Sequence, residues 1–464
     1  MSRLIYDTII KYRITAECDG PLHVGSAVGG KEEVLTHPVD GIPFVQASSL
    51  AGVCRSYCKK LCRNNNNSEK LIDSLFGNSR HEENTNAYDS RSRIRFEDGC
   101  FENNSVKMEL RPHVKINRKT GTADSEKMLG SGKSSGQKFN MEYVGAGSVF
   151  TFNVYLYLCN AEEESKEYEK MISLFISSMK NKDVCIGAKT SSGAGRLLLK
   201  EALTKRYNLK DTKERNEWLA EKPDKKDGMK TMTLSDISTN SAYKIIVSGK
   251  TEGAIQIKGI AVTEFGKNAP DSENIRNAKK EYIIPGTSVK GALRSRMESI
   301  AQYLGKNVLI DDIFGKVSDK DNQGKTGNIM FHDVVIGDIE SNDRMPIKRG
   351  IHIDKFTGGV FQKGLFSEKN AAGDITLQVD ISEKNNPDAT LGLLVLALRD
   401  LAIGTLSLGN GYSNGKGIIK VSDIVISGER CKNPIKISFG DTGKIADEDG
   451  VISKVLKTLE KEDR

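Results

Sequence analysis

The sequence predicts an α+β protein made of two tandem domains, and three observations support this prediction. The chain has 464 residues, which is too many for one hydrophobic core and enough for two domains of about 200 residues each. Five blocks of sequence occur twice in the same order. Each copy also places strand-like and helix-like segments in the same succession, so the two halves predict one fold twice.

The repeated blocks match one another over most of both halves. The offset between matched positions drifts only from 239 residues (46 to 285) to 222 residues (187 to 409). The matched blocks are QASSLAG at 46–52 with PGTSVKG at 285–291, LFG at 75–77 with IFG at 313–315, RIRFEDG at 93–99 with NIMFHDV at 328–334, HVKINRKTG at 113–121 with GIHIDKFTG at 350–358, and CIGAKTSSGAGRLLL at 185–199 with SLGNGYSNGKGIIK at 407–420. An ordered set of this kind indicates an internal duplication.

The succession of elements is the same in each copy. Each begins with period-two alternation, KYRITAECDG in the first copy and AYKIIVSGKTEG in the second, which predicts a strand. A strand–turn–helix segment follows, and then a second helix that ends at Phe-Gly. Another strand, a helix, a glycine-rich segment and a last strand complete the copy. This order of strands and helices predicts a ferredoxin-like sheet with helices on one face.

The repeat also predicts the domain boundaries. We expect a first domain at 1–205, a charged and partly helical linker at 206–239, a second domain at 240–435 and a C-terminal tail at 436–464. The tail ends in KVLKTLEKEDR, which predicts a short amphipathic surface helix.

The composition favours a cytoplasmic protein. A formal net charge of +7 at pH 7, from 69 basic and 62 acidic residues, permits a polyanionic partner without requiring one. No segment approaches the roughly 20 apolar residues of a membrane span, and the charged, alternating N-terminus does not resemble a signal peptide. Eight scattered cysteines without a secretory signal indicate reduced thiols.

Three of the cysteines lie at helical spacing. Cys54, Cys58 and Cys62 share one face of the first predicted helix but span about two turns, which is too far for one zinc ion. We therefore expect a stripe that faces the core. A zinc site made by Cys54 and Cys58 with a loop residue such as His81 is the alternative.

The glycine-rich segments are the first candidates for binding a charged ligand. Each follows a helix and precedes a strand, which is the reverse of the order in a nucleoside-triphosphate loop. Backbone N–H groups in such segments can approach phosphates closely. The alternative is a tight turn that requires positive φ. The polar side chains in these segments are Lys189, Ser191, Ser192, Arg196, Ser413, Asn414 and Lys416.

The strand–turn–helix segments are the second candidates. Ser48 or Ser49 in the first copy, and Thr287 or Ser288 in the second, are the predicted N-caps. A helix N-terminus with free N–H groups binds anions. The alternative is an ordinary N-cap followed by a solvated arginine. Because these helices and the glycine segments both recur, we expect one face that contacts phosphates. The flanking cations are Arg55, Lys290 and Arg294.

The blocks at 113–121 and 350–358 are the third candidates. They carry basic side chains and lead into long insertions rich in Gly, Ser and Lys. Long insertions without periodicity are usually functional or disordered. Basic hairpins at equivalent places would suit an element that wedges between nucleotides. The basic residues are Lys115, Arg118, Lys119 and Lys355.

The combination of IPGTSVKGALR, an Ile-Asp-Lys-x-Thr-Gly block and a late glycine-rich loop resembles the repeat-associated mysterious proteins, the RAMP superfamily. In particular it is similar to backbone subunits of type III CRISPR effector complexes, and the fusion of two copies resembles type III-D-like subunits. The resemblance covers most of both copies. It implies an RRM-related palm, an inserted thumb β-hairpin and CRISPR RNA that runs over the palm. The implied partners are CRISPR RNA, target RNA and neighbouring subunits stacked into a filament, with no membrane.

The resemblance also implies a cleavage site. In active backbone subunits an Asp in the loop before the IPGTS block supports metal-dependent cleavage of target RNA with Mg²⁺ or Mn²⁺. Here Asp271 stands at that place, and Glu273 is the near alternative. A metal held near an in-line phosphate meets the chemical need. In the first copy Lys31 stands at the nearest equivalent position, and Glu32 or Glu33 are weaker substitutes.

Two other functions remain open at this point. One is a purely structural RNA-binding subunit. The other is a metal-independent ribonuclease that processes the guide and uses a histidine as general base. No histidine pairs with a partner that recurs in both copies, which disfavours that enzyme. The histidines are His23, His37, His81, His113, His332 and His352.

Overall fold

The structure is a computed structural model. It describes residues 6–25, 33–61, 68–77, 91–102, 104–117, 125–127, 134–136, 138–159, 164–222, 224–234, 241–260, 269–316, 324–439 and 443–460. The chain divides into two compact units. Unit 1 comprises Met1–Met108, Tyr143–Ala188 and Ala194–Ile237. Unit 2 comprises Glu109–Glu142, Lys189–Gly193 and Ser238–Arg464, and so includes two segments of the first sequence copy. The domain boundaries drawn from the repeat stay a prediction.

The structure contains strands and helices in both halves of the chain. The strands are β1 (Thr8–Cys18), β2 (Phe44–Val45), β3 (Ile94–Phe96), β4 (Gly99–Phe101), β5 (Met108–Val114), β6 (Ser125–Lys127), β7 (Ser134–Gly136), β8 (Lys138–Val144), β9 (Val149–Leu158), β10 (Leu197–Asn208), β11 (Lys230–Thr231), β12 (Ser241–Glu252), β13 (Ser272–Glu273), β14 (Ile283–Ile284), β15 (Ile329–Phe331), β16 (Val334–Val335), β17 (Lys348–Ile353), β18 (Val360–Lys369), β19 (Asp374–Ser382), β20 (Ile418–Ser427), β21 (Ile435–Ser438) and β22 (Lys444–Ala446). The α-helices are α1 (Ala47–Leu61), α2 (Ser68–Phe76), α3 (Glu164–Lys180), α4 (Thr212–Leu219), α5 (Gly286–Tyr303), α6 (Leu309–Phe314), α7 (Ile339–Asp343), α8 (Pro387–Ala402) and α9 (Val451–Glu460). Short 3₁₀ helices span Thr190–Ser192 and Tyr412–Asn414.

Each unit contains a central antiparallel sheet of the same topology. In unit 1 the order of the shared strands is β10–β1–β9–β3, and in unit 2 it is β20–β12–β19–β15. Numbered along the chain, both sheets have the order 4-1-3-2 and follow the β-α-β-β-α-β succession. The predicted fold class, two tandem ferredoxin-like domains, is confirmed.

The helices cover one face of each sheet because alternate strand residues point to that face. In unit 1, Ile10, Tyr12 and Ile14 of β1 are buried in one cluster with residues of α1 and α3. In unit 2, Ile245 and Val247 of β12 belong to the equivalent cluster with residues of α5 and α8. Burial of each such side chain contributes about 1.5–3 kcal/mol to the free energy of unfolding. The alternation of apolar residues along β1 and β12 therefore determines which face of each sheet packs against the helices.

The cysteine stripe lies in this core. Cys54 and Cys58 on α1 are fully buried in the apolar cluster, where burial raises the pKa of the Cys54 thiol well above its usual value. Cys62 and His81 lie outside the described residues. Within the described ranges no three His, Cys, Asp or Glu side chains come together as a metal site would require.

The long insertions are β-hairpins. In unit 2, β17 pairs with β18, and the carboxylate of Asp354 holds the turn by accepting hydrogen bonds from the N–H of Phe356 (3.0 Å) and the hydroxyl of Thr357 (2.8 Å). The insertion of the first copy pairs β5 with β8 and β6 with β7. Hairpins at both places agree with the expectation drawn from the resemblance.

The C-terminal segment is part of unit 2. Strands β21 and β22 extend the sheet beyond β20, and α9 packs on α8 with Val455 and Leu459 buried. The predicted amphipathic helix is present, but its apolar face joins the core. No helix in the described ranges is long and apolar enough to span a membrane.

The glycine-rich segments fold identically in the two copies. Gly195 N–H donates to Pro21 O (2.7 Å) and Gly417 N–H donates to Ala254 O (2.9 Å). A Cβ on Gly195 would lie 1.9 Å from Ile186 O, and one on Gly417 would lie 2.2 Å from Leu408 O. Both glycines also have positive φ, 83° and 79°. These two glycines therefore occupy tight turns that require positive φ, because the left-handed backbone and the close approach both exclude a side chain. Phosphate binding by these segments stays a prediction.

We expect Gly417→Ala to destabilise the protein by about 3 kcal/mol, because the new Cβ meets backbone that cannot move freely. Gly415→Ala is the matched control. Its φ is also positive, 73°, but a Cβ there meets nothing within 4 Å, so only the left-handed conformation costs free energy, about 1–2 kcal/mol. Urea unfolding followed by circular dichroism gives both values. If both variants lost the same free energy of unfolding, the close approach of Leu408 O to position 417 would not explain the effect of Gly417→Ala.

Candidate nucleic-acid interface

The helices predicted to begin at Ser or Thr begin one or two residues earlier. Helix α1 starts at Ala47 and α5 at Gly286, so Ser48, Ser49, Thr287 and Ser288 lie within the first turns. The N-cap of α5 is Pro285, which makes no side-chain cap bond. The predicted serine and threonine N-caps are therefore wrong.

An aspartate on a neighbouring segment supplies the missing cap in both copies. Asp98 Oδ1 accepts a hydrogen bond from Ala47 N–H (2.7 Å), and Asp333 Oδ1 accepts one from Gly286 N–H (2.8 Å). A carboxylate at this place satisfies an unpaired N–H group and complements the helix dipole. These N-termini are thus already partly neutralised, which weakens them as phosphate sites by themselves.

Asp333 also joins a buried ion-pair network in unit 2. Arg111 Nη2 lies 2.7 Å from Asp333 Oδ2, and Arg111 Nε donates to Glu109 Oε1 (2.6 Å). The Arg111 side chain is only 6% exposed. Burial alone would lower the pKa of Arg111, but the two carboxylates raise it above its usual value. Asp333 therefore connects the start of α5 to strand β5.

Three predicted cations of unit 2 come together beside the start of α5. Lys290 Nζ donates a hydrogen bond to Ser191 Oγ (2.8 Å), and Lys189 immediately precedes the 3₁₀ helix that contains Ser191. We call Lys189, Lys290 and Arg294 the cation cluster. Burial, and then the positive charges of Arg294 and Lys189, lower the pKa of Lys290 to about 8. The cluster therefore holds its positive charges at an electrostatic cost.

The approach of the two segments depends on a glycine. A Cβ on Gly286 would lie 2.4 Å from Ser192 O and 2.9 Å from Phe331 O. Only glycine allows the 3₁₀ helix to lie this close to the start of α5. The close approach places Ser191 within reach of Lys290.

Several other predicted contact residues have their charge paired with a carboxylate. Arg55 Nη2 lies 2.6 Å from Asp73 Oδ1, and Arg196 Nη2 lies 2.5 Å from Asp19 Oδ2. Lys416 forms an ion pair with Glu368. Lys115, Lys355 and Asn414 are exposed. Arg118 and Lys119 lie outside the described residues.

The two carboxylates of the predicted cleavage loop have different surroundings. Asp271 is exposed, and its Oδ2 accepts hydrogen bonds from the N–H (2.6 Å) and hydroxyl (2.9 Å) of Ser367. Glu273 is 2% exposed and accepts hydrogen bonds from Tyr282 Oη (2.6 Å) and Arg276 Nη2 (2.8 Å). The geometry favours Asp271 as the residue that can reach a ligand. Glu33 is exposed, and Glu32 lies outside the described residues.

Comparison with known proteins identifies the family. A family model described as the RAMP superfamily matches residues 15–198 and 235–420, which is most of the chain. This chain belongs to the RAMP superfamily. The resemblance inferred from the motifs is confirmed, and each matched region covers most of one of the two sequence copies, which are therefore two RAMP modules. No curated protein matches the chain.

One solved structure similar to this RAMP protein is a chain of the cryo-EM structure of the Type III-B Cmr-beta bound to cognate target RNA. The identity is 14% and the TM-score is 0.30. The match covers 42% of this chain and 61% of that chain, so it spans less than two thirds of that chain's length.

Sequence analysis of the two RAMP modules missed Asp98, Asp333 and Arg111. The two aspartates occupy the same position of a repeated block, RIRFEDG and NIMFHDV, so the repeat itself carried a signal. Arg111 had no comparable signal, because its partner Asp333 is far away in sequence.

We expect Asp333→Asn to destabilise this RAMP protein by about 3 kcal/mol, because it leaves the buried Arg111 without one of its carboxylates. The asparagine oxygen can still accept from Gly286 N–H. Asp98→Asn is the matched control, since Asp98 is exposed and its loss of charge should cost less than about 1 kcal/mol. The thermal unfolding midpoints of the two variants, each compared with wild type, measure both losses of stability. A larger effect at Asp98 would show that the ion pair contributes little.

Proposed function

We propose that this RAMP protein is a CRISPR RNA-binding backbone subunit of a type III CRISPR effector complex. The observation that supports this most directly is the cation cluster, in which two repeated elements predicted to contact phosphates meet at Ser191. In this proposal the guide's phosphates contact the cluster, and the guide pairs with target RNA. Neighbouring subunits complete the path of the guide.

The electrostatics of the cluster suit a polyanion. A phosphate beside Lys290 would offset the repulsion from Lys189 and Arg294 and raise the pKa of Lys290 toward its ordinary value. Arg294 is also paired with Glu298 (2.8 Å), which orients the guanidinium without removing its charge. Binding should therefore be coupled to proton uptake by Lys290. It should also weaken as salt rises, because phosphate contacts release counterions.

We expect guide affinity to fall by up to about tenfold per pH unit above pH 8, since below the lowered pKa Lys290 is already protonated and above it binding must take up a proton. Lys290→Arg should flatten this profile, because arginine stays charged. The measurement is fluorescence anisotropy with labelled CRISPR RNA between pH 7 and 9. Lys250→Arg, at an exposed position of β12, should leave the wild-type profile. Identical profiles for wild type and Lys290→Arg would argue against the cluster as the phosphate site.

We extend the proposal to metal-dependent cleavage of target RNA at Asp271. Mg²⁺ retains several waters and is often held by one or two carboxylates together with substrate phosphates. Asp271 can supply one exposed carboxylate oxygen, and its bonds to Ser367 fix the direction of the other. The residues fit a Mg²⁺ or Mn²⁺ ion that is shared with RNA, where it would neutralise charge on the phosphate under attack. Glu32 and Glu33 remain the weaker candidates in the first module.

A structural subunit without cleavage is the second candidate function. It is favoured by Glu273, which is buried and bonded to Tyr282 and Arg276, so that Asp271 is the sole exposed carboxylate of the described part of this loop, residues 269–273. Both candidate functions include RNA binding, and they differ only in whether the protein cleaves target RNA.

We expect the assembled complex to cut matched target RNA with Mg²⁺, and Asp271→Asn to abolish one cut while binding persists. The asparagine keeps an acceptor for Ser367, so the loop should stay in place. Asp374→Asn, which neutralises an exposed carboxylate on β19, is the control and should cut normally. The absence of any cut by wild type would favour the structural subunit. Cleavage of free repeat RNA in EDTA would favour a guide-processing enzyme.

A further inference from the structure

Much of the segment predicted as a charged linker, 206–239, lies on the sheet of unit 1. We call residues 211–222 and 224–232 the strap. Helix α4 lies in the strap, and β11 at its end pairs with the edge of β10. Glu221 and Asp224 of the strap contact Lys11 and Arg13, which alternate with the core residues of β1, so this part of the strap covers the face of the sheet opposite α1 and α3. Met232 at the end of the strap packs against the core cluster itself.

Carboxylates of the strap lie on two lysines of the sheet. Lys11 is completely buried, and its Nζ lies 2.8 Å from Glu221 Oε1 and 3.3 Å from the carbonyl oxygen of Lys222. Lys205 Nζ lies 2.5 Å from Glu217 Oε1. Burial alone would raise the pKa of Glu221, but hydrogen bonds from Lys11 and Tyr207 hold it below its usual value. Glu217 and Glu221 of the strap thus lie on lysines of the sheet, while strap residue Lys226 pairs with Glu201 of β10 (2.7 Å).

An aromatic ring of the strap contacts the same face, edge-on to Tyr155 and tilted against Tyr207. Trp218, the one tryptophan of the chain, lies 5.5 Å from the ring of Tyr155 and 5.4 Å from the ring of Tyr207. Arg95 lies over the Tyr155 ring at 4.4 Å. The strap therefore covers the sheet with one aromatic ring and several anions.

Two lysines stand directly opposite each other beneath the strap. Lys11 pairs across the sheet with Lys205 on one side and with Tyr155 on the other. Like charges at facing positions destabilise a sheet unless an anion lies above them. We call Lys11, Arg13, Tyr155, Lys205 and Tyr207 the basic–aromatic face. Its residue types are those with which sheets bind single-stranded RNA, through phosphate neutralisation and base stacking.

The same row of unit 2 has a different chemistry. Lys244 occupies the position of Lys11, but its neighbours across the sheet are Ser427 and Asp380. Lys244 and Asp380 are half-buried, so the described part of unit 2 leaves this row partly open. The cover occurs where the face is basic and aromatic.

The charge pattern and the aromatic contacts point to one ligand. We propose that the basic–aromatic face is a second binding surface for single-stranded RNA, and that the strap is a built-in competitor which imitates its phosphates and a base. Most strap residues are exposed, which is typical of segments that open at low free-energy cost. The basic–aromatic face shares no residue with the cation cluster, and this proposal does not depend on the function proposed for that cluster.

The test uses the full chain with Lys290→Gln and Arg294→Gln, so that added binding cannot arise at the cation cluster. The strap variant is Glu217→Gln with Glu221→Gln, and the probe is a fluorescent 12-residue oligouridine. We expect Trp218 emission to shift to longer wavelength, oligouridine to bind at least tenfold more tightly, and ultraviolet crosslinks to appear at Tyr155 or Tyr207. Glu167→Gln, an exposed carboxylate of α3, should change none of these.

Release of Trp218 without a gain in oligouridine binding would overturn the proposal. If Trp218 stays in place, residues 211–232 are replaced by a Gly-Ser segment of equal length, which uncovers the face by design. Tighter binding with crosslinks at Tyr155 or Tyr207 then supports the proposal. A folded variant without added binding overturns it, and so does a variant that cannot fold, because a strap required for folding is not a displaceable competitor.

Discussion

Asp333 holds together three segments of unit 2 that are distant along the chain. One carboxylate oxygen accepts a hydrogen bond from the first N–H of α5, and the other pairs with the buried Arg111. The start of α5 in turn lies against the 3₁₀ helix at Thr190–Ser192, a contact that only glycine at position 286 permits. Lys290 can reach Ser191 because these contacts fix the helix start. The cation cluster therefore depends on a carboxylate that is not itself a predicted ligand contact.

Asp333 and the cation cluster have two different electrostatic roles: Asp333 stabilises the start of α5, and the cluster is the proposed contact for phosphate. An anion at a helix N-terminus stabilises the helix, and Asp333 already occupies that place in α5. Burial, and then the positive charges of Arg294 and Lys189, lower the pKa of Lys290 below its ordinary value, so a neighbouring anion would stabilise the charged form. A fully compensated site would be more stable, but it would have less attraction for a polyanion. This arrangement separates the group that stabilises the helix from the groups available to a phosphate.

Duplication preserved the scaffold of the two modules while the chemistry of equivalent positions diverged. The glycine turns make the same backbone hydrogen bonds in both copies, as Gly195 and Gly417 demonstrate. The row across the sheet changed from Lys205–Lys11–Tyr155 to Ser427–Lys244–Asp380. Backbone geometry tolerates such changes because side chains on the outer face of a sheet do not determine the strand order. Each module can therefore present a different surface on one architecture.

The sequence alone determined the repeat, the succession of strands and helices, the core faces and the glycine turns, because period-two alternation and positive φ are local properties. It placed Asp271 and Glu273 two residues apart as alternatives, and only the tertiary structure showed one exposed and the other buried with Tyr282. The aspartate caps and the docking of the strap were likewise decided by tertiary structure, since Glu221 meets Lys11 across 210 residues of chain. From the sequence alone the charged linker would be expected to be solvated. The lysines that bind its carboxylates, Lys11 and Lys205, lie outside the linker, so the sequence of the linker does not reveal these ion pairs.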